Sequence, residues 1–516
     1  MLSAQYVSLG ANRIVGAPTC EQEVSIRFSI TIVLILMLSA VGLTYEIAAG
    51  RVLAPFFGTS LLTWTSVIAI VLAGFSLGSA LGGLIAERPR AVAIGNVRSA
   101  LVATAVLMAV SPTLLSLLHS SGARGTGGML LSVFVVFFPA SVCVTLPSPF
   151  LAKVALEARP GRAGSSLGIV LAAGSVGAIF GAILAGFVAL PLIGATATFA
   201  ACGAAALLCI LFVRRDPPDD QARQNEGPNT VTAVGAAAFV AFAGLAGSPT
   251  CQYESGLSCL HVLQRGSVVH LFSDGTAQAA ERLTPGDSYN DAAVLSLPYT
   301  QWLWARLDRD LQAAPTVLFV GGGGYSLPTM LLASRPAAQA IAVEIDPLVT
   351  QVVQQHLPRA AKMIEQTGYD AAVEGQDATG RLALVHADGR VYLNQTEHRF
   401  DAAVMDVFSS GSVPAHLATQ ETYERLRTIV DGPVYVNLID EPDGPLVRGV
   451  YAILRGIYPH VEAVQGSVSA RGRANVLLAA SLTPLAPLDT LPDGYKPTLI
   501  SEAPAFTDNR GWGGHR

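Results

Sequence analysis

The chain has 516 residues, of which 51% are hydrophobic and only 13% charged, and its mean hydropathy is +0.48. A soluble domain is nearer a quarter charged, so much of this chain sits in lipid. The net charge of −5 and the lack of a Lys/Arg block interleaved with aromatics argue against a nucleic-acid partner, and the six cysteines form no metal-type cluster with histidine.

Residues 1–27 form an amino-terminal tail, followed by a membrane domain over 28–247. Within it apolar runs cover 28–49, 63–86, 91–118, 127–151, 165–190, 195–213 and 231–247. At ~1.5 Å per residue each crosses a hydrocarbon core of ~30 Å, the last only barely. The first run lies behind a tail and leads into further spans, so it does not read as a cleavable signal peptide.

Glycines recur at helix-packing spacing, at 74, 78 and 82 and again at 177 and 181. Small residues four apart let helix backbones approach closely in lipid. The stretch "IVLAGFSLGSALGGLIA" (70–86) aligns without gaps on "IVLAAGSVGAIFGAILA" (169–185), the second run on the fifth. A three-helix unit inserted twice in opposite orientation is a common transporter plan, and six such helices resemble half of a major-facilitator bundle. Glu46 and Arg51, near the end of the first run, read as a contact that fixes a helix end; a functional intramembrane carboxylate is the competing reading.

Loop charges set an orientation. Eleven Lys/Arg lie in the tail and the even-numbered loops, against Arg51 and Arg124 on the other side. The positive-inside rule then puts the amino terminus in the cytoplasm, and seven spans deliver the carboxyl half outside. Cys251 and Cys259, eight residues apart after the seventh run, can reach disulfide distance, which suits an oxidising compartment. Against this stands the ligand that the following domain calls for, which is made in the cytosol.

After Gln252 the pattern becomes short alternating runs with charged loops, which reads as a soluble domain, and past Ala314 the order of elements is informative. "TVLFV" (316–320) reads as a buried strand, followed by Gly321, Gly322, Gly323 and Gly324 and a helix opened by Pro328. A second strand ends at Glu344, about twenty residues on, where a Rossmann-type unit places an acid for ribose hydroxyls. Further strands lead to Asp388, Asp406 and Asp440, so acids collect at the carboxyl ends of a parallel sheet. A terminal pair, "HVEAVQG" and "ANVLLAAS", closes it in the manner of S-adenosylmethionine-dependent methyltransferases.

The segment from Gln252 onward resembles the spermidine synthase (polyamine aminopropyltransferase) family in its membrane-fused bacterial form. The resemblance rests on "YESGLSCLHV", "LFSDGTAQA", "DSYNDAAVLSLP", "VGGGGYSLP", "VEIDP", "ADGRVYL", "FDAAVMDVFSSGSVPAHLATQETYERL" and "FTDNRG". It implies a small β-rich subdomain over 252–313 and a Rossmann-like adenosyl-binding domain over 314–516. It also implies decarboxylated S-adenosylmethionine or S-adenosylmethionine as co-substrate, a small amine or polyamine as partner besides membrane lipid, and no metal; oligomeric assembly is left open.

By that resemblance the glycines and Glu344 hold the ribosyl part, Asp388 and Gly389 lie beside the adenine, Asp406 is the general base, and Gln278 and Tyr289 line the cleft. Four positions depart from the family pattern. Gly324 stands where an aspartate holds the aminopropyl ammonium, Leu257-Ser258 replace Tyr-Gln, Asn290 replaces a histidine, and Ser409 replaces a second aspartate. Desolvating a dication without carboxylates costs several kcal/mol per charge, so the residues leave three classes open. These are an aminopropyltransferase, another transferase such as a methyltransferase, and a non-catalytic transport accessory or sensor.

Overall fold

A computed structural model describes residues 20–57, 61–213, 230–246, 251–255, 257–283, 295–371, 380–407, 414–470 and 472–510. The first half is helical: α1 (Cys20–Phe57), α2 (Leu61–Ala86), α3 (Arg90–Ser120), α4 (Gly125–Thr145), α5 (Pro147–Glu157), α6 (Ala163–Leu184), α7 (Leu190–Ile210) and α8 (Thr230–Ala246). Pro147 opens α5 directly behind α4, and a π-helical turn, Ala185–Ala189, joins α6 to α7.

Among the described residues five helices are long and apolar enough to cross a membrane, where the hydropathy pattern gives seven runs. The difference has two sources. The fifth helix, Ala163–Ile210, has 48 residues and absorbs the fifth and sixth runs. A straight helix of that length would measure about 72 Å, over twice the hydrocarbon core. It is broken at Gly194, whose φ of 74° and ψ of 173° only glycine adopts readily. The seventh run is α8, whose apolar stretch Val231–Ala243 falls below spanning length.

Helix α2 packs along α4 and α6 along α1, while α3 packs against α7. If α2 and α6 are equivalent, each second helix thus lies on the first helix of the other copy. The glycine stripes are what permit this. A Cβ at Gly78 would overlap the Val142 carbonyl oxygen, and one at Gly177 the Leu36 carbonyl oxygen.

The expected pairing of Glu46 with Arg51 does not form. The helix continues to Phe57, and residues five apart on it lie about 140° around its axis. Glu46 is buried with Oε2 unpartnered among the described residues, whereas Arg51 Nη1 donates to the Leu257 carbonyl oxygen at 3.2 Å. Arg51 faces the second half of the chain.

That half opens with an antiparallel four-stranded sheet, β1 (Tyr253–Glu254), β2 (Cys259–Arg265), β3 (Val268–Ser273) and β4 (Thr276–Arg282). A disulfide joins Cys251 to Cys259, with Cα atoms 5.3 Å apart, and ties the start of β1 to β2. Helix α9 (Pro298–Asp310) leads into β5 (Thr316–Val320), α10 (Ser326–Ser334), β6 (Gln339–Glu344), α11 (Pro347–His356), α12 (Pro358–Thr367), β7 (Gly368–Asp370) and β8 (Leu382–His386). There follow α13 (Gly389–Gln395), β9 (Ala402–Met405), α14 (Gln420–Ile429), β10 (Val434–Asp440), α15 (Pro445–Ile457), β11 (His460–Gln465), β12 (Ala474–Ser481) and β13 (Lys496–Pro497).

These strands make one sheet in the order β13-β11-β12-β10-β9-β5-β6-β8-β7, parallel from β10 to β7 and antiparallel beyond. The central strands read as unbroken apolar runs because helices cover both faces. Strands β7 and β13, of three and two residues, are too short to leave a periodic signal. Strand β5 has β6 on one side and β9 on the other, and this reversal of strand order opens a crevice at the carboxyl ends.

Candidate active site

The crevice holds a cavity of about 280 Å³ whose walls come from both sheets. Gly321 follows β5 and Asp406 follows β9, and the two backbones touch. A Cβ at Gly321, which has a φ of 97°, would overlap the Asp406 carbonyl oxygen. Only glycine allows this close approach at the switch point.

Glu344, at the end of β6, turns back on the glycine loop. Its Oε2 accepts the amide N–H groups of Gly322 (3.0 Å) and Gly323 (3.2 Å), and its Oε1 accepts that of Asp346 (3.0 Å). Burial raises its pKa above the usual carboxylate value; the three N–H groups oppose this, and the Asp346 charge adds to it. A carboxylate offers about four acceptor positions, so Oε1 retains capacity toward the cavity.

Asp388 caps α13 through Oδ1, which accepts from Arg390 N (2.9 Å) and Val391 N (3.1 Å), while Oδ2 lies 2.9 Å from His416 Nε2. Burial works to raise its pKa, but those hydrogen bonds and the His416 charge together hold it below the ordinary range. A Cβ at Gly389 would meet Val320 Cγ1 at 2.6 Å, so α13 can start against β5 only with glycine there. Asp508 of the "FTDNRG" stretch accepts from Thr419 Oγ1 (2.7 Å) and Arg390 (3.0 Å), fastening that segment beside Asp388.

Asp406 is held at both oxygens. Asn437 Nδ2 donates to Oδ1 at 2.8 Å and the Tyr299 hydroxyl to Oδ2 at 3.2 Å. Burial raises the Asp406 pKa, against the lowering effect of these two donors. Burial and the neighbouring Asp406 charge push the Tyr299 phenol well above its ordinary value, so it stays protonated and donates. Gln278 lines the same cavity, and its carbonyl oxygen also accepts from Tyr299, at 3.3 Å.

Of the residues picked out from the sequence, Gly321, Gly323, Glu344, Asp388, Gly389, Asp406 and Gln278 share this cavity, with Gly322 behind it against Glu344. Tyr289, Asn290 and Ser409 lie outside the described residues. Asp440 serves structure, accepting from Leu446 N and Val447 N at the start of α15.

Sequence reasoning passed over Tyr299, Asn437, Asp346 and His416. Asn437 interrupts the apolar run "VYVNLI", and a polar residue inside a buried strand was the available signal. Asp346 caps α11 through Leu348 N and accepts from Ser255 and Ser258. Gly324 packs so tightly that a Cβ there would overlap that of Ala279. No side chain fits where the spermidine synthase pattern carries its aspartate. Among the described residues the cavity wall carries five carboxylates and one histidine but no lysine or arginine.

A family model for the Major Facilitator Superfamily matches residues 27–339, which runs past the helices into β6. Part of the chain is 30% identical over 128 residues to a polyamine aminopropyltransferase of Korarchaeum cryptofilum, covering 24% of this chain and 36% of that protein. A polyamine aminopropyltransferase of Ruegeria sp. is 33% identical over 94 residues, 18% of this chain and 29% of its own length. A solved structure of a probable spermidine synthase from Corynebacterium glutamicum aligns with a TM-score of 0.38 and 16% identity, over 47% of this chain and 84% of that one. The chain thus spans about a third of the curated relatives it matches. Through the match over 27–339 the chain belongs to the Major Facilitator Superfamily, and with its α/β half it is a membrane-fused spermidine synthase-like protein.

Proposed function

We propose that the α/β half is a transferase that moves the aminopropyl group of decarboxylated S-adenosylmethionine to an amine. One observation carries this reading. Glu344 and Asp406, at the ends of β6 and β9, face a single cavity that is free of lysine and arginine among the described residues, and Asp406 is pinned by Asn437 and Tyr299. A wall of carboxylates without cations suits a sulfonium donor and an amine acceptor.

Glu344 and the glycine loop bind the ribose, and Asp388 lies toward the base. An incoming neutral amine attacks the carbon attached to sulfur. An N–C bond forms, the C–S bond breaks with its electron pair going to sulfur, and 5′-methylthioadenosine leaves. The proton lost by nitrogen passes to a carboxylate oxygen of Asp406, whose raised pKa suits it to accept. Asn437 and Tyr299 fix the carboxylate while it does so.

A second reading, methyl transfer from S-adenosylmethionine, is favoured by Gly324. Its contact with Ala279 removes the carboxylate that would hold an aminopropyl ammonium. A mass-spectrometric product assay decides between them, using S-adenosylmethionine, its decarboxylated form and a panel of mono-, di- and polyamines. Release of 5′-methylthioadenosine with an amine-dependent aminopropylated product supports the first; S-adenosylhomocysteine supports the second. No product from any combination would leave a binding module.

A further inference from the structure

The two halves of the chain meet at the break in the fifth long helix. Because Gly194 leaves the helical path, α7 effectively restarts at Ala195, whose N–H loses its partner one turn back. That N–H is taken by the soluble half: Glu254 Oε1 and Oε2 each lie 3.0 Å from Ala195 N. Arg51 of α1 reaches the Leu257 carbonyl oxygen three residues further on, and the β3–β4 turn at Gly275 lies against Pro55.

Ser255, the next residue in the chain, starts a set of hydrogen bonds that reaches the glycine loop through Asp346 and Glu344. Ser255 Oγ accepts from Leu257 N (3.0 Å) and Ser258 N (2.9 Å) and donates to Asp346 Oδ2 at 2.6 Å. Ser258 Oγ donates to the same oxygen. Asp346 N donates to Glu344, and Glu344 holds the amides of Gly322 and Gly323. The Cys251–Cys259 bridge closes the segment that carries Glu254, Ser255 and Ser258.

We propose that Glu254 and Asp346 are positioning residues through which the membrane bundle sets the ribose end of the adenosyl pocket. The proposal rests on the reading of Glu344 as the ribose-binding acid. A change in the helix break moves Ala195, Glu254 follows it, Ser255 and Ser258 shift against Asp346, and Glu344 loses its grip on the glycine loop. Linkage makes the effect reciprocal: a ligand that orders Glu344 favours the bundle conformation in which Ala195 meets Glu254.

The test uses the full-length protein in lipid nanodiscs. Amide hydrogen exchange is read over 319–326 and 190–198, and 5′-methylthioadenosine affinity by calorimetry. Glu254→Ala should speed exchange at Gly322 and Gly323 and weaken the ligand by about tenfold, within the usual range of coupling between sites. Glu254→Gln keeps an acceptor for Ala195 N–H and should restore both to within about threefold of wild type. Gly194→Ala, which strains the helix break and puts a Cβ 2.9 Å from Glu254 Oε2, should reproduce the faster exchange. In the wild type, 5′-methylthioadenosine should slow exchange over 190–198.

Unchanged exchange at Gly322 and Gly323 in both Glu254→Ala and Gly194→Ala would overturn the proposal. So would equal effects of Glu254→Ala and Glu254→Gln. If the wild type does not bind 5′-methylthioadenosine, the adenosyl reading fails, and the ligand-free exchange still decides the coupling.

Discussion

Asn437 Nδ2 donates to Asp406 Oδ1 at 2.8 Å, and the side-chain oxygen of Asn437 in turn accepts from Asn475 Nδ2 at 2.8 Å. Two asparagines on neighbouring strands β10 and β12 thus hold the carboxylate in one orientation. Asp406→Asn should abolish turnover while sparing ligand binding, because an amide cannot take the proton from an amine. Loss of a general base typically costs ~10²–10⁴-fold. A variant retaining a tenth of the wild-type rate, measured by product formation at saturating donor, would make Asp406 structural.

The same pair sets a pH dependence. Burial raises the Asp406 pKa, and the Asn437 and Tyr299 donors work against that. The base must be ionised to act, so kcat/KM should fall as pH drops through a value above the ordinary carboxylate range. Asn437→Ala removes one of the two donors to the ionised form, and the acid limb should then move to higher pH. A pH–rate profile in which that limb stays put would separate Asn437 from the titrating group.

For Glu344 the expected readout is affinity. Hydrogen bonds to a charged acceptor contribute roughly 1.5–3 kcal/mol each, so Glu344→Ala should weaken 5′-methylthioadenosine at least tenfold by calorimetry. The variant also frees the Gly322 and Gly323 amides, which adds to the loss. Unchanged affinity would remove the adenosyl reading.

Gly324→Asp would restore the residue of the resembled pattern, yet it should not restore a working ammonium site. Its Cβ would overlap that of Ala279, and overpacking of this kind costs about 1–3 kcal/mol. The expected result is a lowered Tm with no gain in aminopropyl transfer. A stable, more active Gly324→Asp variant would show that β4 can yield at Ala279.

The side of the membrane has its own test. If the α/β half faces the oxidising side, non-reducing peptide mapping of the isolated protein should find Cys251 bonded to Cys259. A phosphatase reporter fused after Arg516 should then be active. Free thiols with an inactive reporter would place that half in the cytoplasm, where an adenosyl donor is made.

Much of this protein was legible in one dimension, because its signals are local. Lipid imposes long apolar runs, a parallel sheet imposes short ones, and "VGGGGYS" needs glycines wherever backbones must touch, so Glu344, Asp388 and Asp406 could be placed at strand ends by counting. The glycine stripes likewise marked α2 and α6 before their partners α4 and α1 were known. Relations between distant segments were not legible. Hydropathy cannot see that Gly194 breaks one 48-residue helix, since a break changes φ and ψ without changing composition. Closeness in sequence pairs Arg51 with Glu46, whereas the helix turns Arg51 toward Leu257, 206 residues away. The grip of Asn437 and Tyr299 on Asp406 joins α9, β9 and β10, and the tie from Ala195 through Glu254 to Asp346 joins the two halves of the chain. Sequence settled which residue types stand at the ends of which elements, because periodicity and turn chemistry act over a few residues. Tertiary structure alone decided which of them meet, because a hydrogen bond depends on separation in space and not along the chain.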